Sequence, residues 1–272
     1  MKILICGANG FLGHTVLEHS IRLGWQIDCL VHHNTDRINL FKRNINKLIY
    51  SSNNVDDIYD VIFLLNTKIS YQKYAVSDKV NSNIQLPLNI IAKCKNAHII
   101  YSSSISLYND NSNIITELSI PNFNDSFRFI PELIASISKR YSIIRFPSII
   151  GKEMQKGRFL PLIIKKAKEE GIIKIFGQGL RKQNYLAVED AVDYLLKAAI
   201  LKAQGVFLGV HPNEYSNIEI AKIVKSYTPR TRIIVEGVDD TPSFTFDNAH
   251  SRNILNKHKF ISIDKIIKNM VL

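Results

Sequence analysis

Lys2-Ile3-Leu4-Ile5-Cys6 is an apolar run; Gly7-Ala8-Asn9-Gly10-Phe11-Leu12-Gly13 follows it directly, and His14-Thr15-Val16-Leu17-Glu18-His19 continues with helical patterning. Strand, glycine turn and helix in immediate succession are what a dinucleotide-binding fingerprint requires. Gly7 supplies the tight turn, Gly10 lets the backbone approach a pyrophosphate, and Gly13 lets helix and strand pack closely. The phosphates then meet the unpaired N–H groups of the helix N-terminus. Gly7, Asn9, Gly10, Phe11, Leu12 and Gly13 are accordingly the first candidate cofactor-binding residues. The alternative is a glycine turn in an α/β domain that binds nothing; a strand and a helix lying where the chemistry needs them favour the dinucleotide site.

Outward from this turn, apolar runs alternate with helical patterns, the signature of βαβ units and a parallel sheet. The pattern predicts strands at Lys2–Cys6, Gln26–His32, Lys47–Tyr50, Asp60–Leu65, Ala97–Ser102 and Tyr141–Phe146, and helices at Phe11–Leu23, Ser77–Lys95 and Pro131–Lys139. Pro87 should kink or split the second helix. After Gly151 the reading is a helix at Leu160–Glu170, a loop holding Gly177 and Gly179, a helix at Val188–Lys202 and a strand at Val206–Gly209. A helix at Asn217–Ser226, a strand at Arg232–Glu236 and a helix at Ile263–Met270 complete it. The expected fold class is α/β: a Rossmann-type doubly wound parallel sheet over residues 1–150, with 181–210 returning to it, and a small mixed α/β lobe over 151–272. Any active site then lies between the two, beyond the strand C-termini.

Composition narrows the function classes. A hydrophobic content of 46% and mean hydropathy near zero describe an ordinary globular chain. The three cysteines, Cys6, Cys29 and Cys94, are far apart and make no metal-ligand pair, so no metal site is expected. Thiols in buried strands suit a reducing cytoplasm. The first strand begins at Lys2, so no signal peptide is expected, and no apolar run reaches the roughly 20 residues that span a bilayer. The net charge of +11 is spread over helix faces, which reads as a solvated exterior; no nucleic-acid motif is present.

The Gly7–Gly13 fingerprint resembles that of the extended short-chain dehydrogenase/reductases, the NAD-dependent epimerase/dehydratase family acting on sugar nucleotides. The likeness continues along the chain. Asp60-Val61-Ile62-Phe63-Leu64-Leu65 is similar to the family's fourth strand, with Asn66 and Thr67 where alanines are usual. Asn83-Ile84-Gln85-Leu86-Pro87 resembles the helix that begins Asn-Val-x-Gly-Thr, which makes Asn83 a candidate cofactor contact. Ser102-Ser103-Ser104-Ile105-Ser106-Leu107-Tyr108 resembles the Ser-Ser-Ser/Thr-x-x-Val-Tyr strand end. Arg145-Phe146-Pro147-Ser148-Ile149-Ile150-Gly151 resembles Arg-Pro-x-Asn-Val-Tyr-Gly. Phe176-Gly177-Gln178-Gly179 with Arg181–Asp190 resembles the substrate-lobe loop. These matches keep the family's order over about 190 residues.

The resemblance also implies a Tyr-x-x-x-Lys pair after the serine strand, its lysine lowering the phenol pKa so that the tyrosine acts as acid or base. Between Tyr108 and Tyr141 this chain has no tyrosine, and Lys139 is the only lysine. Phe127 with Pro131, Phe129 with Leu133 and Asn124 with Arg128 all fail the pattern. Ser104 stands at the family's serine/threonine position and is the candidate partner of a substrate oxygen. Asp125, Arg128 and Tyr108 are the titratable groups nearby; Asp125 and Arg128 read more readily as solvated loop charges than as catalytic groups, and Tyr108 as a packing residue whose hydroxyl reaches the pocket edge.

The second strand ends in His32 and His33, with Arg37 beyond, where an acidic residue would bind a ribose hydroxyl; Asp28 lies mid-strand. A basic end favours NADP over NAD, with His32 or Arg37 meeting a 2′-phosphate. On the substrate side, the resemblance implies that Phe176 contacts a nucleotide base, that Arg181 and Gln183 reach its phosphates, and that Arg158, Phe159 and Ser148 line the nucleotide pocket. Ser148 replaces an asparagine, and Glu236-Gly237-Val238-Asp239-Asp240-Thr241 replaces a segment whose arginine contacts pyrophosphate; two carboxylates there would repel a diphosphate. Two functions follow as expectations. One is an NAD(P)-binding sugar-nucleotide oxidoreductase or epimerase/dehydratase with an atypical active site. The other is a catalytically silent, nucleotide-binding regulatory or partner subunit. The resemblance implies a homodimer paired through a helix bundle, although the amphipathic helices read similarly in a monomer.

Overall fold

The computed structural model describes residues 1–32, 34–67, 75–108, 114–122 and 126–272, with Ser126 by its backbone only. At its centre β1 (Lys2–Cys6) pairs in parallel with β2 (Gln26–Leu30) on one side and β4 (Val61–Leu64) on the other. β3 (Lys47–Ile49) extends the sheet beyond β2, while β5 (His98–Ser104), β6 (Tyr141–Phe146) and β10 (Gly205–Leu208) extend it beyond β4. The order is β10-β6-β5-β4-β1-β2-β3, and every pairing is parallel. The expected doubly wound Rossmann-type sheet is therefore present. Its order reverses between β1 and β4, and the crevice at such a reversal is where open α/β sheets bind ligands.

Parallel strands buried on both faces need nearly continuous apolar side chains, and β4, Val61-Ile62-Phe63-Leu64, is buried throughout. α1 (Phe11–Arg22) and α6 (Val188–Leu201) cover one face through Val16, Leu17, Ala191 and Leu195. α3 (Leu86–Lys93) and α4 (Ser126–Ser136) cover the other through Ile90, Ile91, Ile134 and Ala135.

Two prolines shape that second face. The single helix expected over Ser77–Lys95 is split into α2 (Val76–Val80), a π turn at Asn81–Gln85 and α3, which carries Pro87 in its first turn. Proline has no N–H and its ring collides with the carbonyl four residues back; the wider turn, in which Leu86 N–H bonds Asn81 O, accommodates it. The helix expected at Pro131–Lys139 starts five residues earlier, at Ser126, with Pro131 inside it. Pro131 leaves Phe127 O without its helical donor, and the side-chain Nδ2 of Asn83 donates to that oxygen at 3.3 Å. A proline that usually opens a helix sits mid-helix here because a residue 44 positions away replaces the missing bond.

Short strands absent from the sequence reading appear after Phe146. β7 (Ser148–Ile150), β9 (Lys182–Ala187) and β11 (Glu214–Ser216) form one small sheet, with β9 in the middle. β8 (Ile172–Phe176), also absent from the reading, forms a two-stranded parallel ribbon with β12 (Arg232–Glu236), which was expected at these bounds. α5 (Phe159–Glu169), α7 (Asn217–Tyr227) and α9 (Ile263–Val271) pack on these strands around a third apolar core containing Ile163, Ile173, Tyr185, Ile220 and Ile267. α8 (Ala249–Ile254) precedes α9. Lys257 is buried between Asp190 at 2.7 Å and Asp193 at 3.0 Å, tying this terminal segment to α6. Among the described residues no helix is long and apolar enough to cross a membrane.

Candidate functional site

The turn between β1 and α1 is built by backbone crowding. Gly7 has φ of +91°, and a Cβ there would stand 2.9 Å from Leu65 O. A Cβ on Gly13 would come within 2.1 Å of Gly7 O, so α1 packs on its own turn only through a bare Cα. Gly10 differs: the only atom its Cβ would approach is Gly7 O, at 3.2 Å, so its outer side is open. Gly10 is also the N-cap of α1, with no side-chain cap and no acidic residue in the first turn. The leading amides of α1 are thus uncapped by side chains, and the helix end carries partial positive charge. This cradle fits a pyrophosphate.

Asn9 ties the turn to the end of β2: its Oδ1 accepts Arg37 N at 2.9 Å and its Nδ2 donates to Asn34 Oδ1 at 3.1 Å. His32 lies exposed beyond β2, and the Arg37 guanidinium is 3.7 Å from Glu153. Asp28 faces the core, accepting Tyr59 OH at 2.8 Å and Asn46 Nδ2 at 2.8 Å, so it is spent on structure. Phe11 borders the same region, since a Cβ on Gly151 would meet its ring at 3.1 Å. Leu12 packs partly buried against the main core. Asn83 is buried in the π turn with its amide on α4, as above.

At the C-terminal end of β5 the structure brings two of the expected residues together through a third. Ser104 Oγ lies 2.8 Å from Ser106 Oγ and accepts Ser106 N at 3.2 Å, and Arg128 Nη1 donates to Ser106 Oγ. Arg128 reaches across from the first turns of α4, while Ser104 is the last residue of β5. Asp125 lies outside the described residues, as does Asn124. Ser106, which links the pair, was overlooked in the sequence although it belongs to the quoted serine run.

Directly beneath is a buried network whose acidic member has no sequence signal. Arg145 on β6 forms a two-pronged ion pair with Glu132 on α4, Nε to Oε1 at 3.0 Å and Nη2 to Oε2 at 2.7 Å. Ser103 Oγ donates to the same Glu132, and Arg145 Nη1 donates to Tyr108 OH. Both ionic side chains are about 5% exposed or less. Burial raises the Tyr108 phenol above its ordinary pKa, with the Arg145 cation opposing the shift, so Tyr108 stays protonated at neutral pH. The arginine is visible in the Arg-Phe-Pro run; its partner sits thirteen residues away on a helix whose start was misplaced.

A second cleft, of ≈ 590 Å³, opens where β8 and β12 both end. Phe176 and Glu236 are register partners there, and Gly177 N donates to Glu236 O at 3.0 Å. Gly177–Arg181 form one wall and Val235–Asp239 the other. Of the expected substrate residues, Arg181 lines this cleft and Phe176, 56% exposed, stands at its rim against Gly237. Gln183 is half-buried, its amide donating to Asn217 Oδ1 at 2.7 Å. Ser148 at the start of β7, Arg158 as the N-cap of α5 and Phe159 behind it lie elsewhere, not in the cleft wall. The carboxylates expected to repel a diphosphate are partly occupied: Glu236 pairs with Lys174 at 3.1 Å, and Asp239 Oδ1 accepts Thr241 N at 3.0 Å.

Known proteins with the same architecture are numerous but distant. The UDP-glucuronic acid 4-epimerase of Bacillus cereus, solved with UDP-glucuronic acid and NAD, superposes with a TM-score of 0.85 at 18% identity, covering 100% of this chain and 98% of that one. MoeE5, solved with UDP-glucose and NAD, gives 0.82 at 16% identity over 100% and 97%. TunA, an NAD-dependent NDP-hexosamine 5,6-dehydratase of tunicamycin biosynthesis, gives 0.78 at 14% identity over 100% and 96%. At such identities the likeness establishes the fold. Among curated proteins none matches the sequence. The model of the NAD dependent epimerase/dehydratase family matches residues 3–207, the stretch that contains the glycine turn, the β5 serines and β9. With that match over most of its length, this chain belongs to the NAD dependent epimerase/dehydratase family.

Proposed function

We propose that the chain is an NAD(P)-binding sugar-nucleotide oxidoreductase or epimerase/dehydratase-type protein with an atypical active site. The observation that carries this reading is the Gly7–Gly13 turn, whose open side at Gly10 and uncapped α1 amides suit a pyrophosphate at the switch point of the sheet. The division of labour we infer puts dinucleotide binding on residues 1–150 with 181–210, and substrate binding on most of 151–272. A bound nicotinamide would supply hydride transfer. The chain's own residues then bind and orient. The α1 amides and Asn9 hold the pyrophosphate turn, and His32 and Arg37 favour NADP over NAD. Ser104 directs a hydrogen bond to the substrate oxygen.

The atypical element is α4. A guanidinium stays protonated at any working pH, so Arg128 cannot act as a base, but it can stabilise negative charge on an oxygen held by Ser104 and Ser106. The nucleotide sugars in the relatives' complexes support a nucleotide sugar as substrate here. Homodimer formation is supported by apolar side chains left exposed: Leu133 on α4, Ile137 just beyond its end, and Val76 on α2. Three buried free thiols suit the cytoplasm.

Thermal unfolding with saturating NAD(H) and NADP(H) tests the reading. Ligand at about 100 times Kd adds roughly 2.7 kcal/mol, a shift of about 5 °C or more in Tm for a chain of this size. No shift with either pair defeats the proposal. The silent-subunit reading is favoured by the absence of tyrosine between Tyr108 and Tyr141, and turnover of any nucleotide sugar by the purified chain removes it.

A further inference from the structure

β12 is an edge strand that uses one side of its backbone. Arg232 N donates to Gly171 O at 2.9 Å and Gly177 N to Glu236 O at 3.0 Å, so Arg232, Ile234 and Glu236 turn their main chain towards β8. Neighbouring residues of a strand alternate, so the N–H and C=O groups of Ile233 and Val235 point the other way. β12 pairs with β8 alone, and among the described residues no other backbone bond reaches Ile233 or Val235. A row of donors and acceptors thus lies open on a strand of high β-propensity, Arg232-Ile233-Ile234-Val235-Glu236. Apolar surface is open beside it, with Ile234 37% and Val235 50% exposed.

Proteins guard such edges by keeping them short, charging them or covering them. β3, at one end of the main sheet, has three residues and begins with Lys47, and β8 carries Lys174 at its centre. β12 has neither device, for its two charges sit at its ends and are of opposite sign. Laid antiparallel to a copy of itself about Ile234, the strand sets Arg232 opposite Glu236, Ile233 opposite Val235 and Ile234 opposite Ile234. The outward main-chain groups fit this register. Ile233 and Val235 of the second copy exchange both N–H···O bonds, and the two-fold axis repeats them. Arg232–Glu236 and Ile234–Ile234 become the non-bonded pairs, whose side chains approach closest. Opposite charges facing each other across a ladder stabilise it, and like charges oppose it. The Glu236 carboxylate, with Lys174 at 3.1 Å, keeps lone pairs for a guanidinium.

We propose that β12 is a self-association edge: two copies of this chain join by antiparallel β12–β12 pairing about a two-fold axis at Ile234, making one continuous four-stranded sheet. Such an isologous contact uses the same edge of both copies and closes. A five-residue strand buries less surface than a permanent dimer needs, so the association depends on concentration. The contact lies in the small lobe, whereas α2 and α4 stand on the main sheet. It is therefore independent of any pairing through their apolar side chains, and of the nucleotide-sugar reading.

Sedimentation velocity of the full chain over a range of concentrations tests it. The wild type should show an association step that doubles the mass. Arg232→Glu sets carboxylate against carboxylate, and Glu236→Lys sets cation against cation. Each variant alone should associate at least about ten-fold more weakly than wild type. An equimolar mixture of the two should recover the doubling, because each then meets the opposite charge on the other. Val235→Pro removes an outward N–H without touching the bonds to β8, and should abolish the step. A wild type of constant mass, single variants that associate as well as wild type, or a mixture that stays apart overturns the proposal. Doubling that survives Val235→Pro puts the contact elsewhere and overturns it too.

Discussion

The β1–α1 turn and the β5–α4 corner both lie at the C-terminal edge of the same sheet, yet they are specified differently. The turn is made of backbone: main-chain atoms lie 2.9 Å and 2.1 Å from where a Cβ on Gly7 or Gly13 would stand, and Gly10 leaves its outer side open. The corner is made of side chains, Ser104, Ser106 and Arg128, standing on the buried Arg145–Glu132 pair. A backbone site survives as long as the fold survives. A side-chain site can be rewritten by a few substitutions while the support beneath it keeps strand and helix in place. That contrast is what the proposed atypical site requires: a chain that belongs to its family by its turn while the side chains of the β5–α4 corner differ.

The sharpest way to break this comparison is to remove the support. Glu132→Ala leaves Arg145 buried and uncompensated, and should lower stability by about 3–5 kcal/mol in urea unfolding. A loss under about 1 kcal/mol would mean the pair does not hold the corner. Next comes Gly13→Ala, whose Cβ would meet Gly7 O at 2.1 Å; overpacking against backbone should lower stability by about 3 kcal/mol. Gly10→Ala, by contrast, should cost less than about 1 kcal/mol yet weaken NAD(P)(H) binding at least about ten-fold, because the added methyl occupies the side open to the phosphates. If Gly10→Ala destabilises as much as Gly13→Ala, the loop is a packing device.

Arg128→Gln should leave urea stability within about 0.5 kcal/mol, since the side chain is partly exposed, while reducing turnover of any accepted substrate about ten-fold or more. Unchanged turnover removes Arg128 from the site. The far end of β5 supplies the smallest test. Burial holds His98 neutral, its pKa lowered to about 4 with the Arg140 and Lys202 charges assisting. The unfolded chain therefore takes up this proton first as pH falls from about 6.5 towards 4, and stability declines over that window. His98→Asn should flatten part of the decline; an identical pH profile would show that His98 does not titrate on unfolding.

The sequence by itself determined the strands of a parallel sheet, the helices between them and the glycine turn. Each is a local matter: an apolar strand, a glycine that needs φ > 0 and a helix that starts at once are all recorded in neighbouring residues. Strand ends shifted by a residue or two, as at β2 and β5, because the last inward-facing residue depends on the strand beside it. What only the tertiary structure decided are the matters of long sequence separation. Pro131 reads as a helix start until Asn83 supplies the missing donor to Phe127 O. Glu132 carries no local mark of its role until Arg145 is found against it. β8 goes unread as a strand until β12, some 60 residues later, pairs with it and the two strand ends open a cleft walled by Gly177–Arg181 and Val235–Asp239. Local conformational preference is written along the chain. Compensation of a lost hydrogen bond, of a buried charge or of an unpaired strand edge depends on which distant residue arrives, and that is settled only by folding.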